Sequence, residues 1–366
     1  MDTAILIALI KVISTILISG IIVLRTIPTI NHIARSKGLL NAPGERTSHR
    51  YKTPNLAGIA IFIAACVSSL LFIYDYFEFF RPIYLASVII FFVGLKDDIV
   101  LLSPWKKLLA QFVAATLIVI SDLRFIHGFS VFGVNYFDET ASIILTICFI
   151  VGIINAINLI DGIDGLAASI GSLILGIFGL FFFINGMYSW SFYCASLVGG
   201  LMAFFLYNVF GLRNKTFMGD SGSLLLGLSI AVTTIMFWEA NADKTLPLTF
   251  LDAPAITFAI IIIPAFDVVR VFFYRIVHRL SPVSADRNHL HHRIVDIGFS
   301  HFQTSMILTA LNVLMITIAY GLSFFWGTIW ISLILIVLMI LFVAIVNKIY
   351  RKQRKKATTT ISQNYS

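Results

Sequence analysis

The chain has 366 residues, 59% hydrophobic and 12% charged, with a formal net charge of +8. Its mean hydropathy of +0.95 excludes a water-soluble domain of this length. The 26 Lys and Arg are scattered over many loops and form no compact basic module, which excludes nucleic acid as a partner.

Apolar runs near the roughly 20 residues that cross a bilayer are drawn at about 4–24, 56–74, 83–96, 106–121, 140–157, 166–185, 190–210, 222–239, 254–274, 304–322 and 326–347. The chain is therefore predicted to be an all-α, polytopic integral membrane protein of about eleven transmembrane helices. The first run contains Lys11, lacks a small-residue cleavage site and continues into a basic loop, so it reads as an uncleaved span. Eleven crossings send the termini to opposite sides. One face then holds only Arg81, Arg124 and Lys244, while the other collects Arg25, Arg35, Lys37, Lys96, Lys106, Lys107, Lys215, Arg270, Arg293 and the tail from Lys348 to Lys356, among others. By the positive-inside rule that second face is cytoplasmic, which puts the N-terminus outside and the C-terminus in the cytoplasm. Residues 1–350 read as a single transmembrane catalytic domain and 351–366 as a basic cytoplasmic tail. Cys66, Cys148 and Cys194 all lie in apolar runs, which excludes a disulfide framework and a cysteine zinc site.

Acidic groups recur where these runs end. Asp97 and Asp98 close the third, the ladder Asn155, Asn158, Asp161 and Asp164 spans the junction of the fifth and sixth, and Asp220 opens the eighth within Met218-Gly-Asp-Ser-Gly-Ser223. Ionisable groups beside lipid are costly and mark a site. The topology brings all of them, with the histidines of residues 286–293, to the cytoplasmic face. Steps of three along a helix drift by roughly 60°, so one straight helix does not aim the whole ladder at a point. A break at Gly162 and Gly165 is expected, with the helix ending near Asp161 and a turn presenting Asp164. Two adjacent carboxylates repel unless cations sit beside them. Lys96, Lys106 and Lys107 offer part of that charge, and Mg²⁺, which takes a few carboxylates plus phosphate oxygens and water, offers more. Gly219 and Gly222 around Asp220 allow close backbone approach, and Ser221 or Ser223 is expected to cap the following helix. The cluster Asp286-Arg-Asn-His-Leu-His-His-Arg293 suits phosphate better than a bare metal. Asp267 and Arg270, one helical step apart, read as a structural ion pair in preference to a wall of the site. Together these residues point to phosphoryl chemistry between a soluble nucleotide and a lipid.

Four ordered motifs resemble the polyprenyl-phosphate N-acetylhexosamine-1-phosphate transferases, the superfamily that also holds the phospho-MurNAc-pentapeptide translocases. They are Gly94-Leu-Lys-Asp-Asp-Ile99, the ladder from Asn155 to Ala167, Phe217-Met-Gly-Asp-Ser-Gly-Ser223, and Asp286 to Arg293 with the segment to Thr304. The His-Leu-His-His element is closer to the N-acetylhexosamine branch. The resemblance implies transfer of an N-acetylhexosamine 1-phosphate, GlcNAc-1-phosphate first, from a UDP-sugar to undecaprenyl phosphate in the bacterial cytoplasmic membrane, with release of UMP. It implies Mg²⁺, for which Mn²⁺ is an allowed replacement, and leaves a homodimer open. By position it makes Asp97 and Asp98 the catalytic pair, with Asp161, Asp164, Asp220 and His289 completing the catalytic set, and Asp98 and Asp220 the metal ligands. Asn158 with Asp161 falls to the diphosphate and ribose, Asn155 and Lys107 to substrate binding, Phe217 and Asp164 to uracil, and Arg287, His289, His291 and His292 to diphosphate or sugar. In the first loop Arg46 and His49 are lipid-phosphate contacts, although Asn41 stands where the family commonly has Asp, and Asn55 and Ala57 where it has Arg and Gly.

Direct attack of the lipid phosphate is preferred to a covalent phosphosugar on an Asp, because a phosphate monoester with a second pKa of about 6 is already mostly dianionic at neutral pH. The alternatives are a phospho-MurNAc-pentapeptide translocase-like enzyme and, from another class, an ion-coupled transporter. The transporter is disfavoured because its acids would lie near the midplane.

Overall fold

The Gly-Asp-Ser-Gly motif opens a helix so enclosed that 94% of its apolar window is buried, and the rest of the bundle is arranged around it. A computed structural model describes residues 3–39, 53–73, 76–127, 136–211, 214–250, 252–279 and 288–364. Its helices are α1 (Thr3–Ser36), α2 (Ala57–Ile73), α3 (Phe77–Ile99), α4 (Pro104–Ile120), α5 (Glu139–Ile160), α6 (Leu166–Ile184), α7 (Tyr188–Phe210), α8 (Gly219–Ala240), α9 (Ala253–Ile260), α10 (Ile262–Val277), α11 (Leu290–Asp296), α12 (His301–Leu322) and α13 (Thr328–Asn364). The buried helix is α8, which packs against α2, α3, α5 and α6. Ser229, Thr233 and Thr234 in it bond back to carbonyls within the helix, as Thr233 Oγ1 does to Ser229 O at 2.8 Å, so they are satisfied without water.

Among the described residues, eight helices are long and apolar enough to cross a membrane, or nine if the bent pair α9 and α10 is one span. A helix lies in each of the eleven apolar runs, but α2 and α4 have only 17 residues each. The molecule is thus an all-α, multi-pass membrane protein. The tail boundary drawn at residue 350 falls inside α13, which continues to Asn364.

Local chemistry sets the helix ends. Pro104 starts α4, where its missing N–H costs nothing, and Ser300 and Gln303 form a reciprocal capping box on α12. The 77° bend between α9 and α10 has an identifiable cause. Pro264 has no amide to give to the carbonyl of Ile260, and Asn312 of α12 donates to the carbonyls of Ala259 and Ile260 at 3.0 and 3.2 Å instead. The bend carries Asp267 and Arg270 to the histidine segment.

Candidate active site

Asp98, on the last turn of α3, caps α8 from 122 positions away. Its Oδ1 accepts from the Asp220 amide at 2.7 Å and from Asn55 Nδ2 at 3.2 Å. Its Oδ2 accepts from the amide and hydroxyl of Ser221 at 3.0 and 2.7 Å. Four donors fill the acceptor positions of the carboxylate, and its charge complements the positive end of α8. Asp98 thus holds the first turn of α8, where the expected cap from Ser221 or Ser223 is replaced by a carboxylate from another helix. Gly219 makes the approach feasible: its φ is +73°, and an added Cβ would sit 2.6 Å from Asp98 Oδ2.

Asp220 projects from this anchored turn. Its Oδ2 accepts from Lys107 Nζ at 2.7 Å and its Oδ1 from Asn158 Nδ2 at 3.1 Å, while the Asn158 amide also donates to Ser223 Oγ at 2.8 Å. Lys107, from the first turn of α4, donates as well to Asp97 Oδ2 at 3.1 Å, and Asp97 Oδ1 accepts from the Leu102 amide at 2.6 Å. Asp97 thus clamps Lys107 against Asp220. Asn155 lies one turn back on α5 and exchanges hydrogen bonds with Gln111 of α4 at 2.6 and 3.4 Å, tying two helices together.

Helix α5 ends at Ile160 with Asp161 as its C-cap, and Gly165 at φ +83° admits α6, in line with the break expected there. No hydrogen bond or ion pair holds the Asp161 carboxyl among the described residues. Burial, and then the carboxylates of Asp220, Asp98 and Asp164, push its pKa well above the ordinary carboxylate range. Asp164 is compensated: its Oδ2 accepts from Lys215 Nζ at 2.6 Å and lies 3.2 Å from His301 Nδ1. Phe217, half-buried, is fixed by backbone bonds between residues 54–58 and 217–218, its own amide donating to Pro54 O at 2.8 Å.

The histidines close one side. Asp267 Oδ2 lies 2.8 Å from His289 Nδ1, and Asp267 Oδ1 accepts from the Leu290 amide at 3.0 Å and from Arg270 Nη2 at 2.7 Å. His289 Nδ1 faces Asp267, and its Nε2 is buried with no hydrogen-bond partner among the described residues. The pair Asp267 and Arg270 is therefore more than an ion pair, because it orients a histidine. His291 reaches the ladder itself. A Cβ added to Gly162 would lie 2.5 Å from His291 Nε2, so the glycine makes room for the imidazole. Burial, and then the charge of His292, hold the His291 pKa well below its ordinary value, and the ring is neutral. His292 is buried beside it, ring centroids 4.2 Å apart.

The structure therefore gathers Asp97, Asp98, Lys107, Asn158, Asp161, Asp164, Phe217, Asp220, His289, His291 and His292 at one end of the bundle, with Asn155 behind them. Arg46, His49 and Arg287 lie outside the described residues. Sequence reasoning passed over Asn55, Lys215 and His301 as site residues, and their roles come from contacts made across 43, 51 and 137 positions.

The sequence pattern of glycosyl transferase family 4 matches residues 80–238. A Bacillus subtilis (strain 168) protein named "Probable undecaprenyl-phosphate N-acetylglucosaminyl 1-phosphate transferase" is 31% identical over 348 residues, covering 93% of this chain and 92% of its own. The chain belongs to glycosyl transferase family 4. Undecaprenyl-phosphate alpha-N-acetylglucosaminyl 1-phosphate transferases of Escherichia coli (strain K12) and Yersinia pestis are 29% and 28% identical, covering 78% and 76% of this chain and 77% and 75% of their own. The family 4 match contains Asp97, Asp98, Lys107, the Asn155 to Asp164 ladder and Asp220, and stops before the histidine segment.

Proposed function

We propose that this family 4 protein transfers GlcNAc-1-phosphate from UDP-GlcNAc to undecaprenyl phosphate, at the cytoplasmic face of a bacterial inner membrane, and releases UMP. The names of its relatives support the substrates. The observation that carries the chemistry is the single cluster in which Lys107 bridges Asp97 and Asp220 while Asp161 stands beside them with no partner among the described residues. That face would be cytoplasmic in an eleven-span topology with the N-terminus outside, which the Lys and Arg asymmetry supports.

Among the described residues no three His, Cys, Asp or Glu side chains form a ready-made metal cage. Mg²⁺ does not need one, because one or two carboxylates suffice when phosphate oxygens and water complete its shell. The donor set fits: Asp161 is an acid with no counter-charge bonded to it among the described residues, and Asp220 holds an ammonium where a cation belongs. We assign the ion to Asp220 and Asp161, since the acceptor positions of Asp98 are taken. When bound it would neutralise diphosphate charge.

The remaining work falls to positioning and charge. Asp98 holds the first turn of α8 and so aims Asp220, while Asp97 steadies Lys107, whose ammonium faces the diphosphate. Asp164, Lys215 and Phe217 form the uridine end, the ring of Phe217 offering a stacking face. A lipid-phosphate oxygen bonds to the sugar-bearing phosphorus as the bond from that phosphorus to the bridging oxygen breaks, and the bridging oxygen leaves on UMP. His289 Nε2 receives a hydrogen bond from a sugar hydroxyl or a residual phosphate proton.

Purified protein supplied with UDP-GlcNAc and Mg²⁺ is expected to release UMP only when undecaprenyl phosphate is present. Lipid-independent release, or a clear preference for another UDP-sugar, would overturn the assignment.

A further inference from the structure

Behind the histidine segment, α10, α11 and α13 flank an open cavity of about 1380 Å³. Arg270, Arg293, Arg351 and Arg354 line it, with Tyr274 and one acid, Asp296. Asp267 separates it from the catalytic cluster, facing His289 with one oxygen and Arg270 with the other.

Two of the guanidiniums are held in place. Arg293 is hydrogen bonded through Nη1 to Asn347 Oδ1 of α13 and through Nη2 to Asn288 Oδ1 at 3.2 Å. Arg270 Nη2 donates to the Asn288 carbonyl at 2.6 Å. Burial, and then the neighbouring Arg270, lower the proton affinity of Arg293, so like charges press on each other here. Arg351 and Arg354 stand exposed one step apart on α13. Among the described lining residues, even with Asp267 and Asp296 each offsetting one guanidinium, positive charge is left over. An anion with several oxygens relieves that strain, and guanidinium forks match phosphate.

The walls identify what carries the phosphate. Phe273 and Val277 on α10, and Ile345 and Ile349 on α13, are large apolar side chains exposed on the two helices that flank the cavity. Helix α13 is apolar enough to cross a membrane before it reaches these arginines. Basic side chains at such an exit meet lipid headgroups. We propose that this pocket binds the phosphate of an anionic membrane lipid, whose chains lie along the exposed faces of α10 and α13. The site is separate from the transferase cluster and does not rest on the transferase reading.

The test uses the full chain, delipidated in a neutral detergent, with binding of phosphatidylglycerol, phosphatidylcholine and inorganic phosphate followed by native mass spectrometry. Phosphatidylglycerol is expected to bind most tightly. The double variant Arg351→Gln, Arg354→Gln, both at exposed positions, is expected to lose about thirtyfold in that affinity while phosphatidylcholine binding is unchanged. Equal binding of phosphatidylcholine by the wild type, equal binding of inorganic phosphate, or unaltered phosphatidylglycerol affinity in the double variant would each overturn the proposal. Binding is read without turnover, so failure here leaves the transferase assignment untouched.

Discussion

Replacing Asp98 with Asn separates a positioning role from a chemical one. The carboxylate receives four hydrogen bonds, two on each oxygen, and each oxygen faces one backbone N–H of the first turn of α8. An amide in either orientation turns its NH₂ toward one of those N–H groups. Two acceptor contacts are lost and a donor is forced against donors. At about 1.5–3 kcal/mol per hydrogen bond to a charged group, the variant loses about 3–6 kcal/mol. The displaced turn carries Asp220, so Asp98→Asn is expected to lower the thermal unfolding midpoint and to raise the Mg²⁺ concentration needed for half-maximal UMP release. Ser221→Ala, which keeps three of the four donors, should cost only about 1.5–3 kcal/mol. If Asp98→Asn kept the wild-type unfolding midpoint and Mg²⁺ requirement while abolishing turnover, the carboxylate would be acting on substrate directly, and the capping account would be wrong.

Other perturbations probe the histidine side. Asp267→Asn removes the charge that orients His289, and turnover should fall about a hundredfold. The double variant with His289→Gln should be no worse than the poorer single variant, and additive losses would show that the two residues act separately. Gly162→Ala puts a methyl 2.5 Å from His291 Nε2, so the segment must shift. A loss of roughly 1–3 kcal/mol is expected, seen as weaker UDP-GlcNAc binding in a titration, and wild-type affinity would place His291 elsewhere. The buried, neutral His291 gives a pH signature. Its folded pKa is depressed, so the unfolded chain binds the extra proton, and the contribution is full above the unfolded value near 6.5 and lost as pH falls below it. The slope is about 1.4 kcal/mol per pH unit. His291→Gln should therefore flatten the fall of the unfolding midpoint between neutral and acid pH, and an unchanged profile would refute the burial argument.

Apolar length and the spacing of polar residues along the chain were enough to read an all-helical membrane protein and its acidic helix ends. Residue type alone, in a chain so poor in charge, marked Asp97, Asp98, Asp161, Asp164 and Asp220, because a carboxylate beside lipid is rarely there without a reason. The break at Asp161 was legible for the same local reason, since Gly162 and Gly165 sit where the ladder must turn. The number of crossings was less so: α2 and α4, at 17 residues each, are short of a full span.

What each acid does was decided only by the fold. Asp97 and Asp98 are neighbours in sequence, yet one steadies Lys107 and the other caps α8, because successive residues on a helix point about 100° apart and meet different partners. Lys215 and His301 meet Asp164, and Asp267 orients His289, through contacts with no local signature. Periodicity and propensity report a residue's immediate chain neighbours. Hydrogen-bond partners dozens of positions away exist only once α3, α5, α8 and α10 have packed, and it is those partners that divide an acidic cluster into holders and held.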